Sequence, residues 1–237
     1  MSGSPNRWLR PVRRLWRRLA NGVSSWVHDL PAGSAAYWEG RYAAGGDSGA
    51  GSAGRLAEHK AEVLNRFLAE HQVRSVIDLG CGDGRQAALL DAVDYLGFDV
   101  SPSAIERCLT LHADDPHKRF ALLDDYAGET AELAISLDVL YHLVERPVYE
   151  SYLGLLTGCA TRFLAIYSSD VDRPRRADGA HIRHREFSAW IRRNAPQWQP
   201  MGHVPNPYPF TGDRKQESFA DFYFFSRRGE VEGAPGV

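Results

Sequence analysis

The residues with the most chemical content are Asp78-Leu79-Gly80-Cys81-Gly82-Asp83-Gly84, which lie where an apolar run from Ser75 to Leu79 hands over to a following segment. Glycines at such a handover let the backbone turn tightly and let a ligand approach the main chain. A dinucleotide fingerprint wants its third glycine three positions after the second, whereas position 85 is Arg and the glycine comes at 84. That departure disfavours a nicotinamide cofactor and favours another nucleotide-like one. The acids at 78 and 83 agree, because a carboxylate beside a pyrophosphate is repulsive and one beside a cation is not. About twenty residues on, the run from Tyr95 to Val100 carries Asp99 at its end, placed to accept hydrogen bonds from both hydroxyls of a ribose.

Proton-transfer groups belong at the carboxyl ends of the strands. His142 follows the apolar run Leu133 to Leu137. A histidine there with the ordinary pKa of about 6.5 can take a proton from a hydroxyl; packing at the start of a helix is the competing reading. His181 and His184, interleaved with Arg183 and Arg185, follow the run Arg162 to Tyr167 and suit either a polar or anionic acceptor or a solvated basic turn. Asp138, Asp170 and Asp172 add oxygen donors, but no spacing defines a site and no metal is expected. Tyr208 and Phe210 either line an acceptor pocket or stiffen a proline-locked edge loop.

These groups need a scaffold of alternating elements. Strands are expected at Ser75 to Leu79, Tyr95 to Val100, Arg119 to Leu123, Leu133 to Leu137 and Arg162 to Tyr167. Between them, helices are expected at Gln86 to Asp91, from Ser101 as N-cap and Pro102 to Leu111, and at Val148 to Leu156. Such alternation predicts a parallel, doubly wound α/β sheet. Trp198 to His203 and Phe219 to Ser226 break it and predict an antiparallel hairpin at one edge. Upstream, Leu56, Val63, Leu64, Phe67 and Leu68 form a helical stripe. The run AAGGDSGAGSAG from Ala43 to Gly54 favours no regular structure and is read as a flexible loop, either a lid with a mobile centre or a plain surface loop.

At this point the chain resembles the class I S-adenosylmethionine-dependent methyltransferases over roughly Tyr37 to Arg227. VIDLGCGDG is similar to that family's first motif, GFDVS to its second, LLDD at 122–125 to its third and SLDVLYHLVE at 136–145 to its fourth. YWEGRYAAGGDSGAGSAG, HIRHREF and SFADFYFF resemble a bacterial subgroup often joined to, or encoded beside, glycosyltransferases. The resemblance implies a Rossmann-like sheet of seven strands in the order 3-2-1-4-5-7-6, strand 7 antiparallel, and S-adenosyl-L-methionine as cofactor. It places Gly80, Gly82 and Gly84 against the methionine part, Asp78 in the same turn, Asp99 on the ribose, and Asp124 or Asp125 on the adenine amino group. Leu137 and Asp138 would close the site, and Tyr37 and Arg41 would cover the cofactor. Methyl transfer from a sulfonium is an in-line displacement in which positioning supplies most of the rate and a base serves mainly hydroxyl acceptors. The expected catalytic histidines are therefore His142, His181 and His184, and the expected acceptor is a sugar or another small polar hydroxyl compound. N-methylation of a small amine and a nucleic-acid-binding module are the alternatives. LDVLY after the fourth strand is unlike the NPPY-type motif of base methylation.

A chain of 237 residues with 43% apolar content supports one core, and a net charge of −2 gives no reason to expect nucleic acid. The expected layout is an extension over 1–34, a methyltransferase domain over 35–228 including a lid at 37–60, and a flexible tail over 229–237. Arg7, Arg10, Arg13, Arg14, Arg17 and Arg18 alternate with Trp8, Leu9, Val12, Leu15, Trp16 and Leu19 in a basic amphipathic pattern. This stretch suits a packed extension, a peripheral contact of residues 7–20 with an anionic membrane, or a protein contact. Three cysteines without pairing pattern fit a cytoplasmic setting.

Overall fold

The computed structural model describes residues 33–91, 93–172, 181–213 and 215–229. The expected amphipathic helix and its membrane contact at 7–20, and the tail from 230, lie outside them. Helix α1 (Gly33–Ala43) and helix α2 (Gly54–Glu70) precede strand β1 (Ser75–Leu79). Then come β2 (Asp94–Asp99), α3 (Pro102–Leu111), β3 (Lys118–Leu122), β4 (Ala131–Leu137), α4 (Arg146–Cys159) and β5 (Ala160–Ser168). Helix α5 (Phe187–Asn194) leads into the hairpin β6 (Trp198–Val204) and β7 (Asp221–Arg227). The sheet runs β3-β2-β1-β4-β5-β7-β6, with β7 antiparallel to β5 and to β6. This is the expected seven-stranded order with strand 7 reversed.

Period-two alternation along buried strands assigns side chains to two faces. Val76, Leu133, Ile135, Phe163, Ala165, Phe222 and Phe224 face one core with Leu64, Phe67 and Leu68 of α2. Phe67 stacks on Phe224 at 4.5 Å and meets Phe163 edge-on at 5.3 Å. Ile77, Leu79, Ala134, Leu164, Ile166 and Phe225 face the other core with Leu153 and Leu156 of α4. Helices thus cover both faces, as a parallel sheet requires.

Beside β1 the winding reverses, since it pairs in parallel with both β2 and β4. Open α/β sheets bind ligands outside the carboxyl ends of the strands at such a switch point. Ser101 caps α3 by accepting from Ala104 N at 3.0 Å, with Pro102 in the first turn, as the sequence predicts.

One expected helix does not form. Gln86 to Asp91 holds only a single 3-10 turn, Ala87–Leu89. Asn65 of α2 supplies the partners that a longer helix would have: its Nδ2 donates to Leu89 O at 3.0 Å and its Oδ1 accepts from Asp91 N at 3.0 Å. The loop after α1 is also more structured than its composition suggests, with a 3-10 turn at Ala50–Ser52.

Candidate active site

The glycine turn is tied to β2 before any ligand arrives. Gly80 N and Cys81 N both donate to Phe98 O, at 2.7 and 3.0 Å. Gly80 and Gly82 have φ of 86° and 59°, the left-handed region in which a side chain is strained. Gly82 N donates to Asp99 Oδ2 and Ser101 N to Asp99 Oδ1, each at 2.9 Å, so the Asp99 carboxylate is fixed at the end of β2. Burial pushes the Asp99 carboxyl above the ordinary carboxylate range, opposed by those backbone N–H groups.

Asp78 sits deeper. Burial raises its carboxyl to about 7, with Tyr95 OH donating to Oδ2 at 2.6 Å in opposition. Its Oδ1 is buried and has no protein partner. A cationic donor arriving with a ligand fits that unmet acceptor better than a phosphate does.

The loop between α1 and α2 lies against this turn. Ser48 N donates to Asp83 Oδ2 at 3.3 Å, and Asp83 N donates back to Ser48 Oγ at 3.1 Å. Arg41 grips Asp47 through Nε to the backbone oxygen at 2.6 Å and Nη2 to the carboxylate at 3.2 Å. Arg85 reaches the same carboxylate at 3.3 Å, and Arg107 donates to Gly46 O and Tyr42 O at 2.5 and 2.6 Å. A Cβ on Gly82 would collide with Ser48 Oγ and Tyr42 OH. Its hydrogen therefore leaves room for the loop as well as for a ligand. Helix α1 is anchored at its start by Glu145 accepting from Ser34 N at 2.8 Å and near its middle by Glu39 accepting from Ser103 Oγ at 2.7 Å.

Past β4, Asp138 adopts φ 62°, unusual for a residue with a side chain. Its Oδ2 accepts from Lys60 Nζ at 2.6 Å and its Oδ1 from Tyr141 OH at 2.5 Å. Four residues on, His142 Nδ1 is 3.2 Å from His181 O. A carbonyl only accepts, so Nδ1 carries the proton and Nε2 keeps the lone pair. Burial lowers the His142 pKa to about 4, against the His181 carbonyl, which favours the charged form. The ring is neutral across physiological pH, a correction to the ordinary value expected from sequence. Tyr37, His181 and His142 stack in series, with centroids 5.0 and 5.6 Å apart, and Trp38 meets His142 edge-on at 4.9 Å.

These groups enclose one cavity of about 440 Å³, within the usual range of about 300–1,000 Å³ for small-molecule sites. Tyr37, Arg41, Asp78, Gly80, Gly82, Asp99, Leu137, Asp138, His142 and His181 all line it. Four expected residues do not. Gly84 is packed behind the turn, where a Cβ would press on Cys108 and His112, so its role is the close approach of α3. Asp124 and Asp125 are exposed on the 3-10 turn after β3, and their neighbour Leu123 faces the cavity instead. His184 is 2% exposed, with Nδ1 2.5 Å from Ser169 Oγ and its ring against Phe219, a core histidine rather than a base. Tyr208 stacks under Arg55 at 4.1 Å, outside the lining, whereas Phe210 and Phe219 wall the cavity. Among the described residues, no group of three or more metal-binding side chains is gathered, and no helix is long and apolar enough to cross a membrane.

Sequence reasoning missed Lys60, Trp38 and Tyr141. Lys60 had a signal: it interrupts the apolar stripe of α2 between Leu56 and Leu64, where a charge needs a buried partner.

Residues 53–154 match the model of a family described as a methyltransferase domain. None of the curated proteins compared matches the sequence. Among solved structures, the chain is similar to the N-methyltransferase NodS from Bradyrhizobium japonicum WM9 in complex with S-adenosyl-L-homocysteine. The identity is 16% and the TM-score 0.63, over 82% of this chain and 98% of that one. Magnesium protoporphyrin IX methyltransferase from Synechocystis PCC 6803, with bound S-adenosylmethionine, aligns at 17% identity over 73% of this chain and 81% of that one, with a TM-score of 0.54. An S-adenosylmethionine-dependent methyltransferase from Clostridium acetobutylicum ATCC 824 aligns at 12% identity over 71% and 91%, with a TM-score of 0.52. At these identities the likeness is one of fold.

Proposed function

We infer, from a chain that carries a methyltransferase domain on the class I, S-adenosylmethionine-dependent fold, that it moves the cofactor's methyl group to a hydroxyl oxygen of a sugar or another small polar acceptor. When bound, S-adenosylmethionine supplies an already activated methyl group on a sulfonium. The residues present fit that group: a glycine turn open to close approach, a fixed carboxylate at the end of β2 for the ribose, and a buried unmet acceptor on Asp78. The described cavity offers acids and backbone to the ligand, and its cations Arg41 and Lys60 are engaged by Asp47 and Asp138. A phosphate-bearing cofactor has little to hold it there.

The observation that carries the hydroxyl reading is the His142 tautomer. With Nδ1–H directed to the His181 carbonyl, Nε2 keeps its lone pair on a ring that lines the cavity, a group able to receive a hydroxyl proton. Tyr37, Trp38, His181 and Phe219 give the wall flat apolar faces, and a few polar groups fix orientation, the usual division of labour in a small-molecule site. The α1–α2 loop and the β6–β7 connection both contribute residues to the cavity wall, which leaves less room for water around the transfer. A panel of free sugars, nucleotide sugars, phenols and small amines incubated with methyl-labelled S-adenosylmethionine tests the reading. Label is expected on a hydroxyl compound; label on amines alone would replace it with N-methylation.

A further inference from the structure

A second cavity, of about 760 Å³, opens between the first turn of α4, the stretch 181–186 and α5. Arg146 and Tyr149 of α4, Arg183 and Arg185, and Trp190 and Arg193 of α5 line it, the last two three residues apart and so on one helix face. Ile182 belongs to the walls of both cavities. On one side of it the His181 carbonyl accepts from the His142 ring, and on the other Arg183 lines the second cavity. Two residues of chain span at most about 7 Å, so the arginine wall starts close to the proposed base. Arg183 N donates to Tyr141 O at 2.7 Å, and Arg185 donates through Nη1 and Nη2 to Leu143 O and Val144 O at 2.6 Å each, which fixes the partition.

The charges in this wall do not cancel. Glu150 holds Arg146 at 2.8 Å, and Glu186 lies 3.9 Å from Arg192, which is outside the lining. Among the described residues no ion pair engages Arg183, Arg185 or Arg193, which leaves three guanidiniums against Asp172. Burial lowers the Arg185 pKa, and the charges of Arg183 and Arg146 act in the same direction. A surplus of two positive charges matches a phosphate, which carries about −1.5 to −2 near neutral pH, and the planar fork of arginine suits its oxygens. Arg185 Cζ lies 4.6 Å from the centroid of the Tyr149 ring, whose hydroxyl is buried without a partner, a polar group the folded chain leaves unmet. Trp190 adds a flat face for a sugar or a base. Glu150, Asp172 and Glu186 in the same lining oppose a continuous polyanion, so the concave wall suits a small phosphate ester and not a nucleic acid.

We propose that the second cavity binds a phosphate group of the acceptor, so that the substrate is a phosphorylated hydroxyl compound, a sugar phosphate or a nucleoside diphosphate sugar, whose free hydroxyl lies beside His142. Arg183 and Arg193 select for the phosphate, which is bound and not transferred. This rests on the reading of the first cavity as the place of methyl transfer to a hydroxyl and adds the part of the acceptor that is recognised away from the reacting oxygen.

Calorimetric titration of the wild-type protein with inorganic phosphate, pyrophosphate and acetate, with S-adenosylhomocysteine as control, tests the site. Pyrophosphate is expected to bind more tightly than phosphate, and acetate not measurably. The double variant Arg183→Gln with Arg193→Gln is expected to weaken pyrophosphate by about tenfold or more and to leave S-adenosylhomocysteine within about twofold. Both arginines are exposed, so the variant leaves the core untouched. In the methyl-labelling assay, matched sets of free sugars, their phosphate esters and their nucleoside diphosphate esters are expected to take label on phosphorylated members alone, and the double variant to raise KM for these by about tenfold with kcat nearly unchanged. Uridine diphosphate bound more tightly than pyrophosphate, with the gain lost in Trp190→Ala, supports a nucleoside diphosphate sugar; equal affinity for the two supports a sugar phosphate. Pyrophosphate that does not bind, acetate that binds as well, unchanged affinity in the double variant, or equal labelling of free and phosphorylated sugars overturns the proposal. Failure to bind S-adenosylhomocysteine, or label on amines alone, overturns the methyl-transfer reading and with it the acceptor role, whatever pyrophosphate does.

Discussion

His142→Ala is expected to cut kcat for transfer to a hydroxyl acceptor by about 100-fold or more while leaving S-adenosylhomocysteine affinity within about twofold. The ring is held by Trp38 and His181 with Nε2 left unprotonated, so its loss removes the proposed acceptor of the hydroxyl proton together with those wall contacts. General-base contributions run from about 10² to 10⁴, and a base suppressed to about 4 belongs at the lower end, because it takes the proton less readily than one poised near neutrality. The pH profile gives the sign. A base works only when unprotonated, so at saturating cofactor the wild-type kcat rises with pH through about 4 and is level above it, and the limb vanishes in the variant. A limb near the ordinary histidine value of about 6.5 would point to another base. Folded His142→Ala with near-normal turnover would show that the reaction needs no base here, and amines would become the better acceptors.

Asp99→Ala is expected to weaken S-adenosylhomocysteine by about 100- to 10,000-fold, since two charge-assisted hydrogen bonds to a ribose contribute about 1.5–3 kcal/mol each. Part of the loss comes through the protein, because Asp99 also receives Gly82 N and Ser101 N and so shapes the glycine turn. Asp99→Asn keeps the shape but only one acceptor oxygen for the two backbone N–H groups of Gly82 and Ser101, so it should recover part of the turn and part of the affinity. Wild-type affinity in Asp99→Ala, measured by calorimetry on folded protein, would remove Asp99 from the ribose.

Much of this architecture is legible in the sequence because its signals are local. A buried parallel strand followed by a glycine turn, a serine cap before a proline, and two apolar runs without a helix between them each follow from a few neighbouring residues, and together they lead to the reversed seventh strand. The exceptions depend on distant partners. Gln86 to Asp91 has helical residues, but Asn65, some twenty positions earlier, takes the backbone groups that would have continued the helix. The loop at 43–54 reads as featureless, yet Arg41, Arg85 and Arg107 hold it from three separate segments.

The site was legible in outline for the same reason. Gly80, Gly82 and Asp99 lie in one continuous stretch, and their place at the switch point follows from it. Strand position fixes which turn faces the ligand, whereas which side chain of that turn points inward is decided by packing: Asp124 and Asp125 are exposed, and Leu123, the apolar one, lines the cavity. His181 and His184 are three residues apart, yet one stacks on Tyr37 in the cavity and the other is buried against Phe219. Lys60 is partnered by a residue 78 positions away, a pairing that no local pattern contains.

Direct titration of the wild-type protein with S-adenosylmethionine, S-adenosylhomocysteine and NAD, each at pH 5.5 and 7.5, tests the central claim most directly. Both sulfur compounds are expected to bind in the micromolar range, near −8 kcal/mol, and NAD not at all. Binding should be tighter at pH 7.5 by about tenfold, because Asp78 is largely protonated below about 7 and an incoming ammonium favours its ionised form. Heat of binding with NAD and none with either sulfur compound would contradict the account.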